Sequence, residues 1–456
     1  MSGEDRTQPS QTSNTDRGPM TKRKKDTPEE IEVRIHEGFY FDRTLELPTV
    51  IKEYERVEKI LMDLQYMACI TVQIEELSKV EYLYGSNSYN FLLAHITEIL
   101  KNIKDREFRG RDIFVVDLYD PDTFVIFLSA PREDKTRLVY HLEDIAERIR
   151  ISLEEEVFNL LYPYLKKYIR PNIGYALEIK NPMVSNMRLI RQLVRNAKKM
   201  GDFMATKRSY LSRYGLQKII IEQELRTVFQ PILELESLDI LGYEALTRGP
   251  AKTEFYNPTL LFLMAAECGL SFELDRVCRK KAFERVREMG TNRKIFVNTL
   301  SMTIHDPEFR GIYLKELLED MAIKPENVIF EISEKLAIDN YDLFRGSLRD
   351  YTDIGIVHAG DDMGTGYSDL ERIMELNPGY MKVDMSFVKD IDKSFMKQEI
   401  IKALVNLSKN INSQVIVEGI ETPEELETLK KLNVRYGQGF LFAHPSDNPE
   451  KINTSF

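Results

Sequence analysis

From Arg226 onward, short apolar runs rich in β-branched residues alternate with longer stretches whose apolar positions recur at helical spacing, the order in which a β/α barrel is written. Strands are expected near 226–234, 240–248, 294–300, 327–333, 355–361, 380–384, 414–418 and 436–440. Eight strands over about 230 residues is the usual size of such a barrel. Only LESLD separates the first two, too little for a crossover helix, so they must pair antiparallel.

Upstream, Val50, Ile51, Tyr54, Val57, Ile60, Leu61 and Leu64 give residues 48–66 a helical stripe. The strand-like ACITVQI follows, then an amphipathic stretch from Ser88 to Asn102. DIFVVDLYDPDTFVIFLSA places a DPD turn between two apolar runs and predicts a hairpin. A helical pattern over 135–168, the strand-like NIGYALEI and a helix from Ser185 to Lys199 complete a compact α/β sandwich of ordinary domain size. The resulting plan is a disordered polar tail at 1–34, a helical segment at 35–66, the sandwich at 67–202, a helical connector at 203–224 and the barrel at 225–456.

Composition narrows the partners. The chain has 456 residues, with 43 % hydrophobic and 30 % charged residues, and no apolar run approaches the ~20 residues needed to span a bilayer. MSGEDRTQPSQTSNTDRGPMTKRKKD lacks the apolar core of a secretory signal. Cys69, Cys268 and Cys278 are too few and scattered for a disulfide framework or a zinc site, so a cytoplasmic location is expected. A net charge of -11 argues against broad contact with nucleic-acid backbone, but not against a small phosphate-bearing ligand whose charge divalent ions offset.

Polar residues stand where the apolar runs of the barrel stop. Glu244 follows ILGY, Asn298 follows KIFV, Glu331 follows NVIF, and Asp361 and Asp362 follow GIVHAG. Lys382 follows YM, Glu418 follows QVIV, and Gln438 lies in YGQGF. In a β/α barrel the C-terminal strand ends share one rim, so these residues converge on one site. Oxygen donors without histidine or cysteine suit Mg²⁺ or Mn²⁺ and disfavour zinc. Two such ions activate a water and neutralise phosphoryl oxygens in phosphodiester cleavage.

VFQPILEL, GYEALTRGP, FVNTL, FEISE, DDMGTGYSDLE, MKVD, VEGIET and YGQGFLFAHP, from Arg226 to Pro445, resemble the EAL domain of bacterial cyclic di-GMP phosphodiesterases. The resemblance implies a modified (β/α)8 TIM-like barrel that hydrolyses cyclic di-GMP to linear pGpG with two Mg²⁺ or Mn²⁺ ions per site. It implies Glu244, Asn298, Glu331, Asp361 and Asp362 as metal ligands, Glu418 as a ligand or the group acting on the attacking water, and Lys382 as a holder of nucleophile or phosphate. Arg248, Gln438, Leu246 and Gln230 are implied as substrate-binding, and Glu334 as the anchor of the loop after Asp362. In that loop Met363 and Asp369 replace the usual phenylalanine and serine. Homodimerisation through the EAL domain is also implied. A catalytically silent cyclic di-GMP receptor stays open as the alternative. An aldolase- or enolase-like barrel is disfavoured by the antiparallel first pair and the motif order.

Residues 67–200 resemble a GGDEF domain, the diguanylate cyclase fold, in arrangement more than in motif. Gln73 stands at the metal aspartate, Glu81 and Tyr82 at the guanine-reading pair, and Asp120 to Phe124 at the signature hairpin. Without glycines there the backbone cannot approach a triphosphate, and Asp120 and Asp122 would repel it. Arg109 and Asp112 form an RxxD that is expected to be a surface ion pair. The resemblance thus implies a degenerate, non-catalytic regulatory or dimerising module, not a second enzyme.

Overall fold

A computed structural model describes residues 39–74, 76–117, 120, 122–129, 141–332, 341–363, 373 and 375–454. The expected disordered tail, Glu334, Asp369 and residues 135–140 of the expected helix lie outside these. Two compact units divide at Ala205 and Thr206.

In the first unit a two-residue pair, β1 (Phe41–Asp42) and β2 (Leu47–Pro48), precedes an antiparallel sheet. Its strands are β3 (Tyr66–Gln73), β4 (Ile113–Val116), β5 (Thr123–Leu128) and β6 (Asn172–Ile179), in the order β4-β5-β3-β6. Alternation along β3 decides the layers. Ala68, Ile70 and Val72 join one core with residues of helices Ser86–Glu107 and Leu142–Leu165. Met67 and Cys69 join a second core with Val57, Leu61, Leu189, Leu193 and Ala197. Period-two patterning on a sheet covered on both faces makes both sets apolar. The expected helices at 185–199 and 203–224 are one continuous helix, Asn186–Glu222.

Asp112 corrects the surface ion pair. Its buried carboxylate accepts from Arg109 N at 2.8 Å and from Ser129 N and Oγ at 2.7 Å each, so it closes a loop.

The second unit is a closed eight-stranded barrel: β7 (Arg226–Glu234), β8 (Ile240–Arg248), β9 (Lys294–Thr299), β10 (Val328–Ile332), β11 (Val357–Met363), β12 (Tyr380–Val383), β13 (Gln414–Val417) and β14 (Tyr436–Gly437). The first pair is antiparallel, as LESLD requires, and β7 is antiparallel to β14 as well, so the barrel is mixed on both sides of its first strand. The expected last strand, 436–440, stops at Gly437. There the chain turns over Ile420, where a Cβ on Gly439 would stand 2.0 Å from Ile420 O. Inside the barrel Ile232, Phe296, Ile329, Ala359, Ile416 and Tyr436 form one apolar layer. Outside it, helices such as Ser271–Met289 and Phe395–Asn410 pack their apolar faces on the strands.

His358 on β11 faces outward, buried against helix Tyr341–Thr352, with Nε2 3.4 Å from Leu348 O. Burial pushes its pKa down from 6.5 to about 4, partly offset by that backbone contact. The folded state therefore keeps the ring neutral where the unfolded chain would protonate it. Its contribution is complete above pH 6.5 and is lost progressively as pH falls toward about 4. His358→Leu should flatten the loss of unfolding free energy over that window by on the order of 2 kcal/mol relative to the parent. Urea melts at several pH values check this, and parallel pH profiles would contradict it.

Candidate functional site at the barrel rim

From β9 to β14 each strand continues the inner apolar layer into a polar one two residues on. Phe296 leads to Asn298, Ile329 to Glu331, Ala359 to Asp361, Ile416 to Glu418 and Tyr436 to Gln438, and on β12 Tyr380 leads to Lys382. On antiparallel β7 the step runs backward, from Ile232 to Gln230, which pairs with Glu244 of β8. Strand periodicity puts all of these positions on the inner face at one end.

Backbone pairing holds the ends in register. Asn298 pairs with Glu331, Glu418 N donates to Val383 O at 3.0 Å, and Gln438 N donates to Val417 O at 2.9 Å. Gly419 follows Glu418 at φ +73°, a left-handed conformation that glycine adopts without strain and that turns the chain off the rim. On β11 the register shifts between Gly360 and Met363, opposite Met381 and Val383 of β12. The extra residue falls at Asp361 and Asp362, a bulge in the strand at the rim. Met363 beyond it is buried in the core.

Lys382 is the hub. Only 1 % exposed, its Nζ lies 2.6 Å from Glu418 Oε1, 2.8 Å from Glu331 Oε1, 3.3 Å from Glu244 Oε2 and 3.8 Å from Asp361 Oδ1. Glu244 also accepts from Gln438 Nε2 at 2.6 Å and Asn298 Nδ2 at 3.1 Å. Burial opposes its charge, but Lys382 and these two amides outweigh that and hold its pKa below the usual carboxylate value. Among the described residues Glu331 and Glu418 have no amide donor of this kind. Burial pushes Glu331 well up despite Lys382, and Glu418 up to about 8. Burial works against the Lys382 charge, yet the surrounding carboxylates hold its pKa well above the ordinary lysine value. One ammonium does not balance four carboxylates in so dry a place.

The outer residues behave differently. Gln230 is buried and donates through Nε2 to Ala443 O at 3.0 Å. Arg248 is half-buried at the end of β8 with NH1 on Thr247 O at 2.9 Å, and Leu246 is half-buried on the same strand. Asp362 lies in β11, but its side chain, like Glu334, is outside the described residues.

Among the described residues no three acidic, histidine or cysteine side chains are spaced around one metal position. Lys382 Nζ stands at the point on which Glu244, Glu331, Asp361 and Glu418 converge. The donor chemistry nonetheless fits hard divalent ions: the groups are oxygen donors, and Glu331 Oε2 and Gln438 Oε1 are buried without a hydrogen-bond partner among the described residues. Two carboxyls pushed up by burial are what a missing positive charge produces.

Two clusters escaped the sequence reading. Behind β9, Asp275, Arg279, Arg276 and Asp306 form a buried charge network. The Asp275 and Arg279 spacing of four on an amphipathic helix was the available signal. In the first unit Lys198 Nζ lies 2.8 Å from Asp117 and 3.1 Å from Asp120, while Gln73 and Thr123 also donate to Asp120 and Tyr89 donates to buried Asp122. The expected negative charge at that hairpin is therefore offset in part by Lys198.

No helix among the described residues is long and apolar enough to cross a membrane. The EAL domain family model matches residues 215–445. Cyclic di-GMP phosphodiesterase PdeR of Escherichia coli is 30 % identical over 237 residues, covering 51 % of this chain and 35 % of the relative. Cyclic di-GMP phosphodiesterase NbdA of Pseudomonas aeruginosa is 27 % identical over 400 residues, 83 % of this chain and 48 % of the relative. An uncharacterized protein, y4lL of Sinorhizobium fredii, is 22 % identical over 429 residues, 90 % of this chain and 50 % of the relative. The chain thus spans half or less of the length of these curated relatives. Among solved structures, the Xanthomonas citri FimX EAL domain in complex with c-diGMP superposes with TM-score 0.50 at 18 % identity, covering 54 % of this chain and 99 % of that one, which is a likeness of fold. A closed barrel with its first strand reversed, a polar rim in the expected register and a family match over half its length together make this chain a member of the EAL domain family.

Proposed function

We propose that the barrel hydrolyses cyclic di-GMP to linear pGpG and that the first unit is a degenerate cyclase-like module without chemistry of its own. The observation that carries the first part is the Lys382 hub, a buried, charge-deficient oxygen site at the rim where barrel enzymes work. That PdeR and NbdA are named cyclic di-GMP phosphodiesterases supports the substrate.

In this reading Glu244, Asn298, Glu331 and Asp361, with Asp362, hold two Mg²⁺ or Mn²⁺ ions. Bound there, the ions lower the pKa of a water and neutralise phosphoryl oxygens. Glu418 orients the attacking water or takes its proton, held at 2.6 Å from the Lys382 ammonium. Lys382 keeps the carboxylates together and meets the phosphodiester from inside the barrel. Gln438 fixes Glu244, and its own Oε1 is buried without a hydrogen-bond partner among the described residues. Arg248 at the mouth has the guanidinium geometry to clamp a phosphate, with Leu246 and Gln230 beside it. Glu334 anchors the loop after Asp362, and pairing of two EAL domains completes the assembly.

A receptor that binds cyclic di-GMP without cutting it is the second reading, favoured by the lysine standing where the carboxylates meet. For the first unit, Lys198 pairs with Asp117 and Asp120, so these two carboxylates are already engaged within the chain, which supports a module without cyclase chemistry.

Purified protein should convert cyclic di-GMP to pGpG with Mg²⁺ or Mn²⁺ and be blocked by Ca²⁺, whose looser coordination misplaces the reacting groups. Chromatography of the products checks this, and tight binding with no turnover in either metal selects the receptor. Glu244→Gln should lower kcat by at least about 100-fold while the protein still melts cooperatively; a rate near that of the parent places the chemistry elsewhere. Incubation with GTP and Mg²⁺ should yield no cyclic product, and any detected would overturn the assignment of the first unit.

A further inference from the structure

Arg279 is fully buried behind the rim, and its neighbours are charged. Its Nε lies 3.0 Å from Asp275 Oδ2 and its NH2 3.2 Å from Asp306 Oδ2, and its guanidinium covers the Phe309 ring at 4.4 Å. Arg276 clamps Asp306 from outside, Nε to Oδ2 at 2.8 Å and NH2 to Oδ1 at 2.7 Å. Arg276, partly exposed, also reaches Glu308 Oε1 at 3.1 Å, so two guanidiniums face three carboxylates in a place where paired charges give little net stability. Apolar side chains could fill that volume, so stability alone does not explain the cluster.

What it grips is the segment leaving β9. Asp275 accepts from Leu300 N at 3.4 Å and from Thr303 Oγ1 at 2.6 Å, and Thr303 Oγ1 also reaches Leu300 O at 2.8 Å. Asp306 closes the next turn by accepting from Glu308 N at 3.0 Å. Leu300 is two residues past Asn298, whose amide donates to Glu244.

We propose that Asp275, Arg279 and Asp306 are positioning residues that set the aim of Asn298, and through it Glu244, by locking the turn that follows β9. The network touches no substrate. It fixes where the chain must leave the rim, so a rotation at Leu300 is transmitted to the Asn298 amide two residues back. The inference rests on the phosphodiesterase reading for its readout, but not for its geometry.

The test is a double-mutant cycle in the full-length protein, Asp275→Asn against Asn298→Ala, read on kcat with Mn²⁺ and on cyclic di-GMP affinity in Ca²⁺. Asp275→Asn should cost about 10–100-fold in kcat alone, with KM changed far less, and almost nothing further in the Asn298→Ala background. An equal fold loss in both backgrounds means a general structural role and overturns the proposal. Thr303→Val, which removes only the hydroxyl on Asp275, carries the same two outcomes if Asp275→Asn does not fold. Absence of turnover in the parent protein would instead tell against the phosphodiesterase reading, and the cycle is then decided on Mn²⁺ affinity by calorimetry, which Asp275→Asn should weaken about 10–100-fold in the parent and not further in the Asn298→Ala background.

Discussion

A single ammonium among four carboxylates is the constraint around which the second unit is organised. Lys382 is buried at the strand ends, and Glu244, Glu331, Asp361 and Glu418 face it from four other strands. Leaving one buried charge uncompensated costs several kcal/mol, so the arrangement exists only if the barrel brings all these strand ends into one register. The closed sheet does that. Its inner apolar layer fixes every strand two residues below the rim, and the polar layer follows from periodicity.

The hub is compensated unevenly. Glu244 has two amide donors and keeps its charge, whereas Glu331 and Glu418 are pushed up by burial. In the proposed reading this uneven compensation is what bound divalent ions would relieve. The same electrostatics explain the contrast with the first unit. There Lys198 lies between Asp117 and Asp120, two carboxylates for one ammonium, and Asp122 is buried against Tyr89. The described polar groups of that hairpin are engaged with one another, with Lys198, Gln73 and Thr123 on Asp120 and Tyr89 on Asp122.

Much of this was legible beforehand because strand periodicity is local. Apolar runs ending in Glu, Asn, Asp or Lys mark both the barrel and its rim, and LESLD alone forces the antiparallel start. What was not legible depends on contacts between distant strands. The bulge at Asp361 and Asp362 is a register difference against β12, which no single strand reveals. The early end of β14 comes from Gly439 closing on Ile420. Asp112 looked like half of a surface pair because Ser129, which joins Arg109 N in burying its carboxylate, is seventeen residues away. The network behind β9 was hidden for the same reason, since Asp306 lies beyond a whole strand from Arg279.

The central claim is that the Lys382 hub is built to take up divalent cations. Calorimetric titration of the metal-free protein with Mn²⁺ tests it most directly. The account predicts saturable binding of about two ions per chain that Glu331→Ala abolishes or severely weakens. Absence of saturable binding, or binding that Glu331→Ala leaves unchanged, would contradict it.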